Sequence, residues 1–282
     1  MVESSAIKPG TLMAGKRGLI MGVANDHSIA WGIARVLAAN GAELAFSYQG
    51  EAQGKRVRPL AESIGSQLVI PCDVGNDSEL ETGFAELARA WGRLDFLVHA
   101  IAFSDRNELK GRYVETSRQN FLSTLNISCY SFTDVARRAR ALMKDGGALV
   151  TLTYGGATRV MPNYNVMGIA KAALEASVRY LAADLGKDGI RVNAISAGPM
   201  RTLAGSAVGD ARMVFKWNKA HSPLKKNIEL DHIGGAALYL LSDLSAGVTG
   251  EIHFVDAGYN LIGMPPTGDL KGWIAPENGD SE

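Results

Sequence analysis

The chain has 282 residues, 46% of them hydrophobic, so it is long enough to bury a large core as one or two domains. Lys plus Arg and Asp plus Glu both number 29, a balance that gives no indication of nucleic acid or a membrane as a partner. The sequence contains neither a signal-peptide core nor an apolar run of ~20 residues, and Cys72 and Cys129 lie far apart in apolar segments. These features predict a soluble cytoplasmic protein with two buried, reduced cysteines and no metal site.

Short apolar segments alternate with segments of helical periodicity from residue 17 onward. Seven segments are predicted to be strands: 18–23, 43–48, 68–72, 96–100, 148–153, 191–195 and 252–255. Helical spacing occurs at 29–40, 78–91, 123–143, 166–185 and 231–241. Strands that alternate with helices need crossover connections. The pattern therefore predicts an α/β fold, a Rossmann-type doubly wound parallel sheet with helices on both faces.

No linker or shift in composition divides this pattern, so residues 15–263 are predicted to form one domain. Residues 1–14 and 264–282 are predicted to be terminal tails, because they fall outside the alternation. In open α/β sheets, ligands bind outside the carboxyl ends of the strands. The segment 200–223 follows such a strand end and is the candidate to cover the substrate.

The first predicted strand leads into the turn GVANDHSIAWG at 22–32, which then becomes a helix. A nucleotide pyrophosphate needs close backbone approach and free N–H groups at a helix N-terminus, and Gly22, Ser28 and the N–H groups that follow are suited to both. The turn departs from the G-x-G-x-x-G pattern. By itself it is equally consistent with an ordinary glycine-rich turn.

Two further strand ends bear on a dinucleotide. Gln49 ends the second strand, where such folds place the group that meets the adenosine ribose. It is not acidic, and Lys55 and Arg56 follow closely, so charge alone does not distinguish NAD from NADP. Asp73 closes the third strand and is suited either to accept a hydrogen bond from adenine or to cap the helix that begins near residue 77.

An aromatic and basic group follows the fifth strand. Tyr154 stands at its end, and Tyr164 and Lys171 lie seven residues apart at the head of a helix. This spacing is about two turns, which places both side chains on one face and ~10.5 Å apart along the axis. A nearby ammonium favours phenolate and makes a Tyr–Lys pair a coherent acid–base arrangement. On spacing alone, such a pair is usually a core-edge aromatic and a solvated lysine; the position after a strand end, on the same edge of the sheet as the glycine turn, favours the acid–base interpretation.

Together these motifs resemble the NADH-dependent enoyl-acyl-carrier-protein reductases, a divergent branch of the short-chain dehydrogenase/reductase superfamily. The resemblance spans about residues 12–263 and rests on five motifs. They are Gly-x5-Ser-Ile-Ala at 22–30, Tyr-x6-Lys at 164–171, PNYNVMG at 162–168, RVNAISAGP at 191–199 and SDLSAG at 242–247.

The resemblance implies reduction of a trans-2-enoyl thioester on acyl carrier protein in fatty acid synthesis, with hydride from NADH to C3. It implies dinucleotide contacts at Gly22, Ser28, Ile29, Gln49, Asp73, Val74, Ile101, Lys171, Met200, Arg201, Thr202, Leu203 and Ala204. It further implies an acyl contact near Ser104, a hydrogen bond from Tyr164 to the thioester oxygen, ribose binding by Lys171 and an acyl-positioning role for Tyr154.

Two features of the sequence bear on protein partners. Arg212, Lys216 and Lys219 are spaced to lie on one helix face, where they could dock an acidic carrier protein or simply be solvated. The helix at 166–185 is rich in small residues and lets a second helix approach closely. Members of the superfamily typically pair such helices between subunits, so the resemblance implies a homotetramer.

Two rival functions remain testable. A carbonyl-reducing relative such as a 3-ketoacyl reductase would have Tyr-x3-Lys, but Gly168 stands four residues after Tyr164. A dinucleotide-binding sensor without catalysis would have lost the Tyr or the Lys, and both are present. Asn126 stands where this branch often has an acid, and is either a relay residue or a polar residue facing solvent or a neighbour. Ala257 replaces a common glycine.

Overall fold

The computed structural model describes residues 9–200, 202, 211–264 and 268. In this part of the chain, seven strands form a single sheet in the order β3-β2-β1-β4-β5-β6-β7, and all neighbouring strands are parallel. The strands are β1 (Arg17–Met21), β2 (Glu43–Tyr48), β3 (Leu68–Pro71), β4 (Phe96–His99), β5 (Gly147–Thr153), β6 (Ile190–Ala197) and β7 (Ile252–Val255). The predicted fold class is confirmed.

Helices cover both faces of this sheet. The described α-helices are α1 (Ile29–Ala39), α2 (Gly50–Ser63), α3 (Asp77–Trp91), α4 (Arg118–Leu125), α5 (Ser131–Arg140), α6 (Asn165–Leu185), α7 (Ala211–His221) and α8 (Leu230–Leu241). Neighbouring residues of β4 show the layering, since Phe96 packs into the core with α1 and α8 and Leu97 into the core with α3, α5 and α6. Successive strand side chains point to opposite faces, so doubly covered strands are continuously apolar.

The sheet order places the site. The chain winds from β1 toward β3 on one side and from β4 toward β7 on the other, so β1 and β4 flank the topological switch point. A crevice opens outside the carboxyl ends of these strands, where α/β sheets bind their ligands. The turns that follow β1, β2, β3, β4 and β5 all lie at this edge.

Two predictions about helices need correction. The predicted continuous helix at 123–143 is interrupted, because α4 ends at Leu125 and a π-helical turn, Asn126–Tyr130, precedes α5. The helix α2 is not predicted by the sequence pattern, because it buries little apolar surface and contains Pro59. Among the described helices, none has the length and apolar character required to cross a membrane.

The two cysteines differ in burial. Cys72 is buried as expected, but Cys129 is only half-buried, so its prediction as a core residue was wrong. Both are free thiols in the structure.

Candidate active site

The turn between β1 and α1 is built around a glycine that no other residue could replace. Gly22 has φ +98°, and a Cβ there would lie 2.1 Å from the carbonyl oxygen of Ala100. Ser28, immediately before α1, accepts hydrogen bonds from the N–H groups of Ala24 and Asn25, both at 3.0 Å. These contacts fold the turn onto the N-terminus of α1, whose free N–H groups and dipole favour an anion. The turn thus fits a dinucleotide pyrophosphate.

The ends of β2 and β3 bring two predicted adenosine contacts together. Gln49 donates through Nε2 to one carboxylate oxygen of Asp73 at 2.8 Å, and the other oxygen accepts from the Gly75 N–H at 2.8 Å. Asn76, not Asp73, caps α3, accepting from its first-turn N–H groups at 3.1 and 3.3 Å. The capping alternative for Asp73 is therefore wrong.

Two tyrosines meet at the carboxyl end of β5. Tyr154 follows the strand directly, and its ring contacts that of Tyr164 edge to face, with centroids 5.1 Å apart and planes at 72°. Tyr164 is buried and occupies the N-cap position of α6, at the head of the helix as predicted. Burial raises the pKa of Tyr154 to about 12 and also raises the pKa of Tyr164. Both phenols are therefore neutral hydrogen-bond donors at neutral pH.

Lys171 lies inside the protein, with only 6% of its surface exposed. Its Nζ donates to the carbonyl oxygen of Leu152 at 2.7 Å, one residue before the end of β5. The alternative of a solvated lysine is wrong. Burial lowers the pKa of Lys171 from 10.5 to about 8, and Cys129 and Glu175 oppose this effect. At neutral pH the ammonium form predominates.

Sequence reasoning missed polar residues that surround this lysine. Glu175 lies one helical turn after Lys171, is buried, and accepts from the Thr153 hydroxyl at 2.7 Å. Burial raises the pKa of Glu175, and the hydrogen bond from Thr153 opposes that rise. His99 is held neutral because burial, and then the charge of Lys171, lower its pKa to about 3. The four-residue spacing of Lys171 and Glu175 on one helix was the available signal.

Ser104 belongs to a buried hydrogen-bonded group. It accepts from the Thr124 hydroxyl at 2.9 Å and donates to the side-chain oxygen of Asn120 at 3.3 Å. The same oxygen accepts from the N–H of Asp105 at 3.0 Å. Asn120, which the sequence did not single out, therefore fixes the segment after β4 on which the acyl contact was predicted.

The other predicted positions are partly described. Ile29 begins α1, while Val74, Ile101, Met200 and Thr202 lie in the segments that follow strands; all five are half-buried. Arg201, Leu203 and Ala204 lie outside the described residues. The same is true of residues 205–210 in the first half of the predicted covering segment, 200–223.

Two departures from the family pattern have structural outcomes. The Asn126 side chain is exposed at the start of the π-helical turn, as the solvent-facing alternative predicts. Ala257 has φ +61°, a left-handed conformation that favours glycine and explains why glycine is common there.

The fold and the site together define a class of protein. A glycine turn suited to a pyrophosphate, a polar pair suited to adenosine and a Tyr–Lys group lie along one edge of a doubly wound sheet. In the described ranges, no group of three or more His, Cys, Asp or Glu could hold a metal ion. This is the arrangement of a dinucleotide-dependent oxidoreductase of the short-chain dehydrogenase/reductase type.

Comparison with known proteins identifies the family. The family model described as enoyl-(acyl carrier protein) reductase matches residues 22–260, and the chain belongs to this family. It is 64% identical over 260 residues to the NADH enoyl-acyl-carrier-protein reductase 2 of Rhizobium meliloti strain 1021, covering 92% of this chain and 97% of the relative.

Solved structures agree with this assignment. FabI from Candidatus Liberibacter asiaticus superposes with a TM-score of 0.90 at 58% identity, covering 91% of this chain and all of that one. The reductase from Anaplasma phagocytophilum, solved in complex with NAD, gives a TM-score of 0.89 at 59% identity, covering 93% of this chain and 100% of its own.

Proposed function

We propose that Tyr154, Tyr164 and Lys171 perform the reaction of the family, the reduction of a trans-2-enoyl group on acyl carrier protein in fatty acid synthesis. One observation supports this most directly. The Tyr164 phenol and the Lys171 ammonium are both buried at the carboxyl end of β5, on the edge of the sheet that carries the Gly22 turn. When bound, NADH supplies the hydride that is added to C3 of the enoyl group.

Tyr164 stabilises the charge that develops on the substrate. Its raised pKa keeps the phenol protonated, so it donates a hydrogen bond to the thioester oxygen as enolate character grows. The enolate then takes up a proton from water at C2, which gives the saturated chain. Tyr154, whose ring supports that of Tyr164, positions the acyl chain.

Lys171 orients the nicotinamide ribose. An ammonium has three N–H donors, and one of them binds the Leu152 carbonyl. The other two are suited to the ribose hydroxyls.

The remaining contacts to NADH are assigned to the strand ends and turns. Gly22, Ser28 and Ile29 would hold the pyrophosphate, and the hydrogen-bonded pair Gln49 and Asp73 with Val74 would hold the adenosine. Ile101, Met200 and Thr202 would hold the nicotinamide end; the other predicted contacts, Arg201, Leu203 and Ala204, lie outside the described residues. The acyl thioester contacts the main chain near Ser104.

Carrier-protein docking is assigned to α7. Arg212, Lys216 and Lys219 are all exposed on this helix, spaced four and three residues apart. An acidic carrier protein would be attracted to such a face. Reversing the three charges to Glu should raise KM for the carrier-bound substrate by ~10-fold or more, because three opposed charges become like charges. KM for a short thioester without the carrier should not change, and equal changes for both substrates would contradict docking here.

We also assign a homotetramer in the cytoplasm. One exposed apolar face runs over α4, the π-helical turn and α6, and a second lies around β7, the edge strand. The first face contains Leu122, Tyr130, Ile169 and Tyr180. The second contains Tyr239, Leu244, Phe254 and Leu261. Two exposed apolar faces suit a tetramer with two kinds of dimer contact. The free thiols fit a reducing compartment.

The decisive experiment follows nicotinamide absorbance with a short trans-2-enoyl thioester, using NADH and NADPH in turn. We expect oxidation of NADH with the enoyl substrate. Oxidation only with a 3-ketoacyl thioester would instead support the carbonyl-reducing alternative. Tyr164→Phe should lower kcat by ~10²–10³-fold, as loss of one oxyanion donor does. Unchanged turnover in Tyr164→Phe and Lys171→Ala would contradict the proposed roles.

A further inference from the structure

The ring of Tyr164 lies directly on the bare backbone of a glycine. Gly156 belongs to the short 3-10 turn Gly155–Ala157 that follows Tyr154. A Cβ at Gly156 would lie 2.4 and 2.7 Å from Cδ1 and Cε1 of Tyr164, and 3.3 Å from Cδ1 of Tyr154. Real Cβ atoms do not approach other carbons so closely. Any side chain at this position would therefore displace the proposed catalytic ring.

The turn itself has little room to yield. Behind it lies α6, where a Cβ on Gly168 would lie 2.9 Å from the carbonyl oxygen of Gly156. The turn is also closed by a hydrogen bond from the Ala157 N–H to the carbonyl oxygen of Tyr154 at 2.9 Å. Two glycines thus let the turn pass between the ring and the helix.

The backbone of Tyr164 is held on both sides. Asn163 and Asn165 have φ of +56° and +35°, conformations that few residues other than Gly, Asn and Asp adopt. Asn165 also donates through Nδ2 to the carbonyl oxygen of Glu108 at 3.2 Å. With the turn and the main chain fixed, the part that must respond to a side chain at Gly156 is the phenol ring.

We propose that Gly156 is a positioning residue for Tyr164: its missing side chain lets the ring occupy the place from which the hydroxyl reaches the thioester oxygen. The inference rests on the proposed role of Tyr164. It predicts that one added methyl group at Gly156 impairs the chemical step more than it impairs cofactor binding.

The neighbouring glycine gives a matched control. A Cβ at Gly155 meets nothing within 4 Å, and Gly155 is outside the positive-φ region, so alanine fits there. Because an error of about 1 Å in a catalytic group costs ~10²-fold, Gly156→Ala should lower kcat by ~100-fold, and Gly155→Ala by less than about twofold. KM for NADH should be unchanged in both. Equal kcat in the two variants, or a loss confined to KM for NADH, would overturn the proposal.

Combining substitutions separates a positioning role from general damage. In a Tyr164→Phe background, Gly156→Ala should cause little further loss of kcat, because the hydroxyl that it misplaces is already absent. The full additional loss in that background would show that Gly156 acts on something else. Wild-type turnover by Tyr164→Phe alone would refute the role of Tyr164, an outcome distinct from failure of the Gly156 proposal.

A second variant covers the case in which Gly156→Ala does not fold. Gly168→Ala presses on the Gly156 carbonyl oxygen at 2.9 Å from the helix side, whereas its Cβ would lie at an ordinary contact distance of 3.6 Å from Cδ1 of Tyr164. We expect a fall in kcat of ~10-fold with an unchanged KM for NADH, since the close contact is with the turn and the contact with the ring needs no shift. Turnover equal to that of the wild type would overturn the proposal.

Discussion

Replacing Lys171 with methionine should make the cofactor-free enzyme more stable at neutral pH while it weakens NADH binding. Burial lowers the pKa of this lysine from 10.5 to about 8. At about 1.4 kcal/mol per pH unit, holding the ammonium inside the protein costs about 3 kcal/mol. Methionine has a similar volume and no charge. It loses the hydrogen bond to the Leu152 carbonyl, which contributes about 1 kcal/mol, so the net gain is about 2 kcal/mol.

The free energy of unfolding of the wild type depends on pH through this lysine, and the direction of that dependence can be worked out. Below pH 8 the lysine is protonated in both the folded and unfolded states, and the full cost of burial applies. Between about 8 and 10.5 the unfolded chain binds more protons at this site than the folded one, so stability rises with pH. Above 10.5 the cost is gone, and the wild type should be the more stable protein by about 1 kcal/mol, the value of its hydrogen bond.

The measurement compares urea unfolding of the two cofactor-free proteins at several pH values from neutral to strongly alkaline. The free-energy difference between them isolates Lys171 from other titrating groups. A difference that does not vary with pH would refute the reasoning. In parallel, the variant should bind NADH at least ~10-fold more weakly, because two charge-assisted hydrogen bonds are lost.

Three further substitutions test other parts of the site. Gly22→Ala should abolish measurable NADH binding by fluorescence titration, since its Cβ would lie 2.1 Å from the Ala100 carbonyl oxygen; an unchanged Kd would contradict this. Thr153→Val should raise the pKa of Glu175 and lower unfolding stability by about 1–2 kcal/mol, because a buried carboxyl loses its donor; undiminished stability in chemical denaturation would argue against it. Asn126→Ala should leave kcat unchanged because the side chain is exposed, and a large fall would support a relay role.

The regular part of the fold could be predicted from local pattern. Each of the seven predicted strands overlaps an observed one, because strands covered on both faces are continuously apolar and bounded by turns. The interrupted helix at 118–140 could not be predicted. Residues 126–130 have helical periodicity, and the π-helical turn accompanies tertiary contacts that periodicity does not show, such as the hydrogen bonds of the Ser128 hydroxyl with the N–H and carbonyl oxygen of Phe103 at 2.9 and 3.0 Å.

The site was predictable in its residues and less so in its environment. Spacing singled out Tyr164 and Lys171, but burial decides whether a lysine is solvated or perturbed, and burial depends on packing of α6 against β5. The same holds for Glu175, an ordinary helical acid in sequence. The role inferred for Gly156 required coordinates, because a glycine next to a strand end predicts a turn but not which ring lies on it.

The helix α6 joins two surfaces of very different character. Its inner side carries the Lys171 ammonium and the Glu175 carboxyl, while Ile169 and Tyr180 are exposed on its outer side. A rigid helix transmits a small rotation along its whole length. The amine proposed to bind the cofactor and the side chains proposed to meet a neighbouring subunit therefore belong to one element, so a substitution on its outer side should be assayed for turnover as well as for assembly.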